Sequence, residues 1–400
     1  MRNCLIAQSG GPTAAINATL AGILAKNKKA QYFDKAFGAR NGIEGVLKQK
    51  LLEFDEERTA DAFLARLKLT PSMYLGSCRY KIPKEKSDEI YEQIFQTFDT
   101  YDIDTFFYIG GNDSMDTVDK LARYGRLHGS RVNVIGLPKT IDNDLVLTDH
   151  TPGFGSAAKF VAASMNEICH DAEIYAVKNI VVVEMMGRDS GFLTAASALS
   201  KNSAVSGPDL IYVPEVPFST DSFVEECRHL LTKKDSVVVA VSEGIRNKNG
   251  TYISAAGNKL DVFGHAQLMG AGKILEGVLK SRLGIKVKSV ELNILQRCAA
   301  HLSSKTDLDE SFGIGSNAVD AAENKESGKM LAIKRISNSP YKTENVLVDV
   351  SRVANQVKYM PAQYLTKDYP YVSESFIEYA RPLIMGENLI PYENGIPLYL

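Results

Sequence analysis

Four hundred residues, 44% of them hydrophobic and 24% charged, supply enough apolar material for two domains of ordinary size. A formal net charge of −2 excludes a global pull toward nucleic acid or a membrane surface, so any phosphate has to be held by local cations. Cys4, Cys78, Cys169, Cys227 and Cys298 lack C-x-x-C spacing, which speaks against a disulfide framework or a thiolate metal site. No apolar run approaches the roughly 18 residues of a membrane span, and the N-terminus enters a strand pattern directly, so the expected location is cytoplasmic.

The first segment reads as a strand from Cys4 to Ala7, a Gly10-Gly11 turn, and a helix with apolar residues at Ile16, Leu20, Ile23 and Leu24. Such a turn leaves N–H groups free where a phosphate can approach closely, although a glycine pair after a strand also serves merely to turn the chain. Glycines recur in AFGARNGIEG, the stretch from Leu51 to Leu69 has helical periodicity, and PSMYLGSCRYK reads as a loop. Arg79 in that loop either forks onto a phosphate or is a solvated surface arginine.

A charged helix over 82 to 101 leads into the strand Phe106 to Ile109, which ends in GGNDS, and a helix is expected from Met115 to Tyr124. The strand Val132 to Leu137 ends in PKTIDND. A loop from Leu145 to Ser156 follows, and a helix begins near Ser156 carrying Phe160, Val161, Ile168 and Ile174. The strand Ile180 to Met185 ends in MGRDSGF, and the strand Ser236 to Val241 ends in Ser242, Glu243 and Gly244. In the Tyr- and Pro-rich tail, YVSESFIEYARPLI is the candidate last helix.

Buried strands that alternate with helices and end in glycine or charged turns point to doubly wound α/β layers with mostly parallel sheets. Ligands in such sheets bind beyond the carboxyl ends of the strands. The best candidate domain boundaries are 151 to 156 and a loop at 300 to 312.

PKTIDND places Asp142 and Asp144 two residues apart, able to face one pocket from extended backbone, with Lys139 close by. One carboxylate can act as a base while the other helps bind Mg2+, and the lysine can stabilise a transferred phosphoryl group. An Asx-rich turn with a solvated ion pair would look the same. In GGNDS, Gly110 and Gly111 can form an anion nest, but the carboxylate of Asp113 repels a phosphate unless a metal intervenes. Asp113 therefore belongs to a metal site, excludes a ligand with an extra phosphate, or caps the following helix. Arg188, Glu243 and Arg297 each follow an apolar run and suit phosphate or sugar hydroxyls, although each alone could be an ordinary ion-pair residue. Together the strand ends suggest a phosphosugar kinase.

These motifs resemble the phosphofructokinases, and in detail the pyrophosphate-dependent branch. The resemblance runs from SGGPTAAIN at 9 to 17 through LGSCR, IGGNDS, PKTIDND, MGRDSGF and VSEG to LQR at 295 to 297, about three quarters of the chain in the family's order. It implies two similar Rossmann-like domains with the active site in the cleft between them. A phosphoryl-donor domain would comprise 1–156 with about 301–345, and a sugar domain 157–300 with about 346–400. The implied activity is Mg2+-dependent, reversible transfer from pyrophosphate to the 1-hydroxyl of fructose 6-phosphate.

By the same resemblance Asp142 is the base, with Thr140 and Asp144 beside the transferred group. Gly10, Gly11, Arg79, Gly111, Asp113, Ser114 and Lys139 hold the donor. Thr140, Ile141, Asp142, Met186, Gly187, Arg188, Glu243, Ile294 and Arg297 hold the sugar phosphate, joined by Lys288 from a neighbouring subunit, which implies a homodimer or homotetramer. Asp113 and Lys139 stand where ATP-using relatives generally have glycine, which implies a pyrophosphate donor. Asn112 and Asp144 are the implied metal positions; many relatives have aspartate where Asn112 stands, so the metal leans on Asp144, water and the donor. Asn179 stands where allosteric relatives have an arginine, which fits a non-allosteric enzyme. The alternatives are the ATP-dependent reaction and a non-catalytic phosphosugar-binding regulatory subunit.

Overall fold

Unbroken runs of Val, Ile and Phe form the strands that are buried on both faces, as NIVVVEM and SVVVAVS show with every residue buried. In the computed structural model, which describes residues 2–78, 80, 82, 87–260, 266–268 and 270–400, the strands in chain order are β1 (Asn3–Gln8), β2 (Lys35–Ala39), β3 (Leu51–Glu53), β4 (Ile103–Gly110), β5 (Asn133–Pro138), β6 (Asn179–Met185), β7 (Leu210–Tyr212), β8 (Ser236–Ser242), β9 (Ala255–Leu260), β10 (Ala266–Leu268), β11 (Lys286–Glu291), β12 (Lys329–Asn338), β13 (Tyr341–Asp349), β14 (Tyr392–Glu393) and β15 (Ile396–Pro397).

A seven-stranded sheet has the order β13-β12-β5-β4-β1-β2-β3, and a four-stranded sheet has the order β11-β6-β8-β7. The second sheet is parallel throughout. The first is parallel from β2 to β12 and antiparallel only at its two edges.

Helices cover both faces of each sheet, as the expected doubly wound class requires. Helices Ile16–Ala30 and Lys305–Glu323 pack on one face of the first sheet, and Ser87–Thr100 and Asn112–Leu127 on the other. In the second sheet, Phe154–Glu173 and the tail helix Glu374–Ala380 share one core, while Thr220–Leu230 and Ala271–Leu283 share the opposite one. Phe106 and Phe107 lie on opposite faces of β4, both fully buried, each worth about 2–3 kcal/mol of apolar transfer.

Three expectations need correction. The stretch 51 to 69 is not continuously helical: Leu51–Glu53 extends β2 as an antiparallel edge strand, and the helix is confined to Asp61–Leu69. The stretch 300 to 312 is not a loop, because Ser304 accepts a hydrogen bond from the Asp307 N–H and starts the helix Lys305–Glu323. The helix after GGNDS begins at Asn112, not Met115, so Asp113 and Ser114 lie in its first turn. The tail helix is present, followed by a 3-10 turn at Arg381–Ile384.

Candidate active site

The turns after β1, β4 and β5 meet around one lysine. Lys139 is only 2% exposed; its N–H donates to the Gly110 carbonyl at 2.9 Å, and its ammonium donates to the Gly11 carbonyl at 2.7 Å. Gly10 has φ +81°, and a Cβ there would stand 3.1 Å from the Lys139 ammonium nitrogen; a side chain would be strained and would crowd the cation. Ser77 donates to the Gly10 carbonyl at 2.7 Å, tying the LGSC loop to the same turn. Ser114 is buried at the start of the helix Asn112–Leu127, while Asp113 in the same turn is exposed.

Burial lowers the Lys139 pKa to about 8, against the opposing pull of Asp142 and Asp144. The same burial, reinforced by the charges of Asp144 and Glu243, raises the pKa of Asp142, with Lys139 pulling the other way. Burial also raises Asp144, against its hydrogen bonds and the charges of Lys358 and Lys139. The loop is held open by a bridge between Thr140 and Gly153 and by the Thr151 hydroxyl, which donates to the Thr140 carbonyl at 2.7 Å. The Thr140 hydroxyl accepts from the Asp142 N–H at 3.1 Å. Ile141 turns inward, 6% exposed, into the core shared with Phe154 and Phe192.

Turns from the second sheet form the facing wall. The Gly187 N–H donates to Glu243 Oε1 at 3.3 Å, and the Ser242 hydroxyl donates to the Gly187 carbonyl at 2.6 Å, joining the ends of β6 and β8. A Cβ on Gly244 would fall 1.9 Å from the Arg188 carbonyl, so only glycine permits this packing. The Met186 N–H donates to Gln296 Oε1 at 3.3 Å, which fixes the short helix Leu295–Cys298 and its Arg297. Burial raises the pKa of Glu243, against the Gly187 N–H, Arg188 and Arg297. Arg297 spans the two walls: a Cβ built on Gly11 would lie 3.4 Å from Arg297 Nη1.

The structure thus brings together Gly10, Gly11, Lys139, Thr140, Asp142, Asp144, Met186, Gly187, Arg188, Glu243 and Arg297 from five strand ends. Arg79 lies outside the described residues. Lys288 sits apart, exposed on edge strand β11 opposite Val181, away from the carboxyl end of β6 where Met186 lies. Ile294 is 57% exposed beside the short helix. Asn112 uses both arms of its amide on the tail, accepting from the Asn355 N–H at 2.6 Å and donating to the Gln356 carbonyl. The motifs gave no sign of Lys358, whose N–H donates to the Asp144 carbonyl at 2.7 Å; a lone lysine so far along the chain carries no local signal.

With regard to metal, no group of three or more His, Cys, Asp or Glu able to hold an ion occurs among the described residues. Asp144 does present a buried Oδ1 with no hydrogen-bond partner. One free carboxylate oxygen fits Mg2+, which keeps several waters and takes phosphate oxygens from its substrate.

The phosphofructokinase family model matches residues 3–314, which include every one of these turns. The chain belongs to the phosphofructokinase family. It is 39% identical to the pyrophosphate–fructose 6-phosphate 1-phosphotransferase of Halomonas elongata over 99% of this chain and 94% of that protein. The protein of the same name from Xanthomonas campestris is also 39% identical, covering 100% of this chain and 95% of that one. Among solved structures, the pyrophosphate-dependent phosphofructokinase of Nitrosospira multiformis is 35% identical, with a TM-score of 0.89 over 100% of this chain and 95% of that one.

Proposed function

We propose that the chain catalyses reversible transfer of a phosphoryl group from pyrophosphate to the 1-hydroxyl of fructose 6-phosphate, giving fructose 1,6-bisphosphate and phosphate. The observation that carries this reading is the buried Lys139 ammonium, held against the Gly11 carbonyl and flanked by two carboxylates. A fixed cation at the transferred group and a nearby base are what phosphoryl transfer requires.

In this reading Asp142 removes the proton of the 1-hydroxyl as the oxygen attacks. Its raised pKa suits a base that works near neutral pH. Lys139 holds the donor and neutralises charge as the bond to the leaving phosphate breaks. Arg188 and Arg297 bind the sugar phosphate, and Glu243 and the Met186–Gly187 turn orient the sugar. Mg2+, held through Asp144 Oδ1, water and the donor, would neutralise charge on the phosphoryl oxygens. Asp113, exposed in the first turn beside the donor nest, repels a longer phosphate chain, which favours pyrophosphate over ATP.

The donor elements lie on the seven-stranded sheet, and Met186, Gly187, Arg188, Glu243 and Arg297 follow strands of the four-stranded one, so we assign donor and sugar domains accordingly, with Thr140, Ile141 and Asp142 reaching the sugar from the donor side. Lys288, remote within its own chain, would complete a neighbour's site in a homodimer or homotetramer. No helix among the described residues is long and apolar enough to cross a membrane, and we place the reaction in the cytoplasm. Steady-state rates with pyrophosphate and with ATP, each with fructose 6-phosphate and Mg2+, test the assignment. Turnover with pyrophosphate supports it, and preference for ATP overturns it.

A further inference from the structure

A segment that no motif includes touches four of the strand-end turns. At the end of β4, the Asn355 N–H donates to Asn112 Oδ1 and the Asn112 amide donates to the Gln356 carbonyl. Beyond β5, the Lys358 N–H donates to the Asp144 carbonyl at 2.7 Å. Beyond β6, the Ser190 hydroxyl donates to the Lys358 carbonyl at 3.1 Å. Beyond β7, Glu215 Oε1 accepts from the Met360 N–H at 2.9 Å and from the Gly191 N–H at 2.8 Å. The first two turns belong to the seven-stranded sheet and the last two to the four-stranded sheet. Residues 355 to 360 therefore clasp the two walls of the cleft together.

The side chain of Lys358 sits at the centre of this clasp. Its ammonium donates to Asn143 Oδ1 at 3.2 Å, to the Thr148 carbonyl at 3.3 Å and to the Asp149 carbonyl at 3.0 Å, and it lies 5.2 Å from the Phe192 ring centroid. Three N–H donors thus meet three acceptors, all on the loop that follows Asp142. Asn143 stands between the two aspartates in a left-handed conformation, φ 57°, and its other amide arm donates to the Tyr379 hydroxyl at 2.8 Å. The direction of the chain through this residue decides where the flanking carboxylates point. Placing an ammonium largely out of water is costly unless its donors are satisfied. A methionine would fill the volume without that cost, but it could not grip Asn143.

We infer that Lys358 is a positioning residue of phosphoryl transfer: through Asn143 and the Asp144 main chain it fixes the reacting geometry of Asp142 and Asp144. The inference rests on the transfer reading above, so turnover of pyrophosphate and fructose 6-phosphate by the unaltered chain is measured first; failure there overturns that reading and leaves the clasp geometry to be judged by the variants' melting temperatures. The variants are Lys358→Met, Lys358→Gln and Lys358→Arg, each assayed for kcat, both KM values and thermal melting.

Loss of the grip should lower kcat of Lys358→Met by about 100-fold, the scale of an ångström-sized misplacement. Both KM values should stay within about threefold, because the contacts that hold substrate are not removed. Lys358→Arg, which restores a cation and its donors, should recover about tenfold of that loss relative to Lys358→Gln. If Lys358→Met does not fold, the comparison of Arg with Gln decides. Unchanged kcat in Lys358→Met, equal kcat in the Arg and Gln variants, or a loss that disappears once rates are corrected for the folded fraction would overturn the inference.

Discussion

The Lys139 ammonium donates to the Gly11 carbonyl across 2.7 Å, joining the turn after β5 to the turn after β1. The residue is thereby held in the cleft, and burial brings its pKa down to about 8. The ammonium is present below that pH and is lost as pH rises through it. We expect kcat/KM for pyrophosphate to fall above about pH 8. Lys139→Arg should move that fall upward, since a guanidinium keeps its proton. On the acid side, activity should fall as Asp142 takes up a proton at its raised pKa. Asp142→Asn should cost about 10³-fold in kcat. Rate profiles of the unaltered chain and both variants from about pH 5 to 10 check all four.

Donor choice should respond to two side chains. Removing Asp113 and Lys139 together, as Asp113→Gly and Lys139→Gly, takes away the exposed carboxylate at the helix start and the buried cation at Gly11. Pyrophosphate kcat/KM should drop by at least about 100-fold, as loss of a charged hydrogen bond in a partly desolvated site implies. The ratio of ATP to pyrophosphate use should rise. Undiminished pyrophosphate turnover would refute the roles of both residues.

Arg297 has a buried Nε without a hydrogen-bond partner, and its Nη1 lies beside Gly11. An unsatisfied guanidinium donor in the cleft is available to a phosphate oxygen. Arg297→Met should raise KM for fructose 6-phosphate by about 10- to 100-fold, the value of one or two charged hydrogen bonds. KM for pyrophosphate should change less. Initial-rate measurements with each substrate varied separately check the difference.

Stability should carry the signature of a second buried cluster. His150 is 2% exposed and lies 2.8 Å from Asp149 Oδ1 and 2.7 Å from Glu310 Oε2. Arg335 pairs with the same Asp149, and Tyr341 and Thr343 donate to Glu310. Burial alone would lower the histidine pKa, but Glu310 and Asp149 outweigh it and raise the value from 6.5 to about 9. The folded pKa is the higher one, so the stabilisation is complete below about pH 6.5 and is lost as pH climbs toward 9. It amounts to about 3 kcal/mol at most. Wild-type melting temperature should fall between pH 7 and 9.5, and His150→Gln should flatten that dependence.

How much of this could be read from the sequence depends on where each signal lies. β1, β4, β5, β6 and β8 are central parallel strands, so their apolar residues run together and their ends are marked by glycine and charge. The motif residues at those ends were legible for the same reason. β11, with the sequence KVKSVE, and β13 are sheet edges without a buried apolar run, and in β12 the short buried run Met330–Ile333 gives way to alternating exposure, so none of them carries a strand-end motif after a long apolar run. The resemblance puts Asn112 at a metal position with the metal leaning on Asp144; the engagement of its amide by Asn355 and Gln356 is a contact between segments far apart in sequence and could not be read locally. Lys358 was invisible for the same reason: its role comes from tertiary hydrogen bonds, which leave no local pattern.

The most direct test of the proposed activity is the donor comparison on the purified full chain, with kcat/KM measured for pyrophosphate and for ATP at saturating fructose 6-phosphate and Mg2+. A preference for pyrophosphate of at least about 100-fold, equivalent to nearly 3 kcal/mol, is the expected result. Equal or better use of ATP would contradict the account.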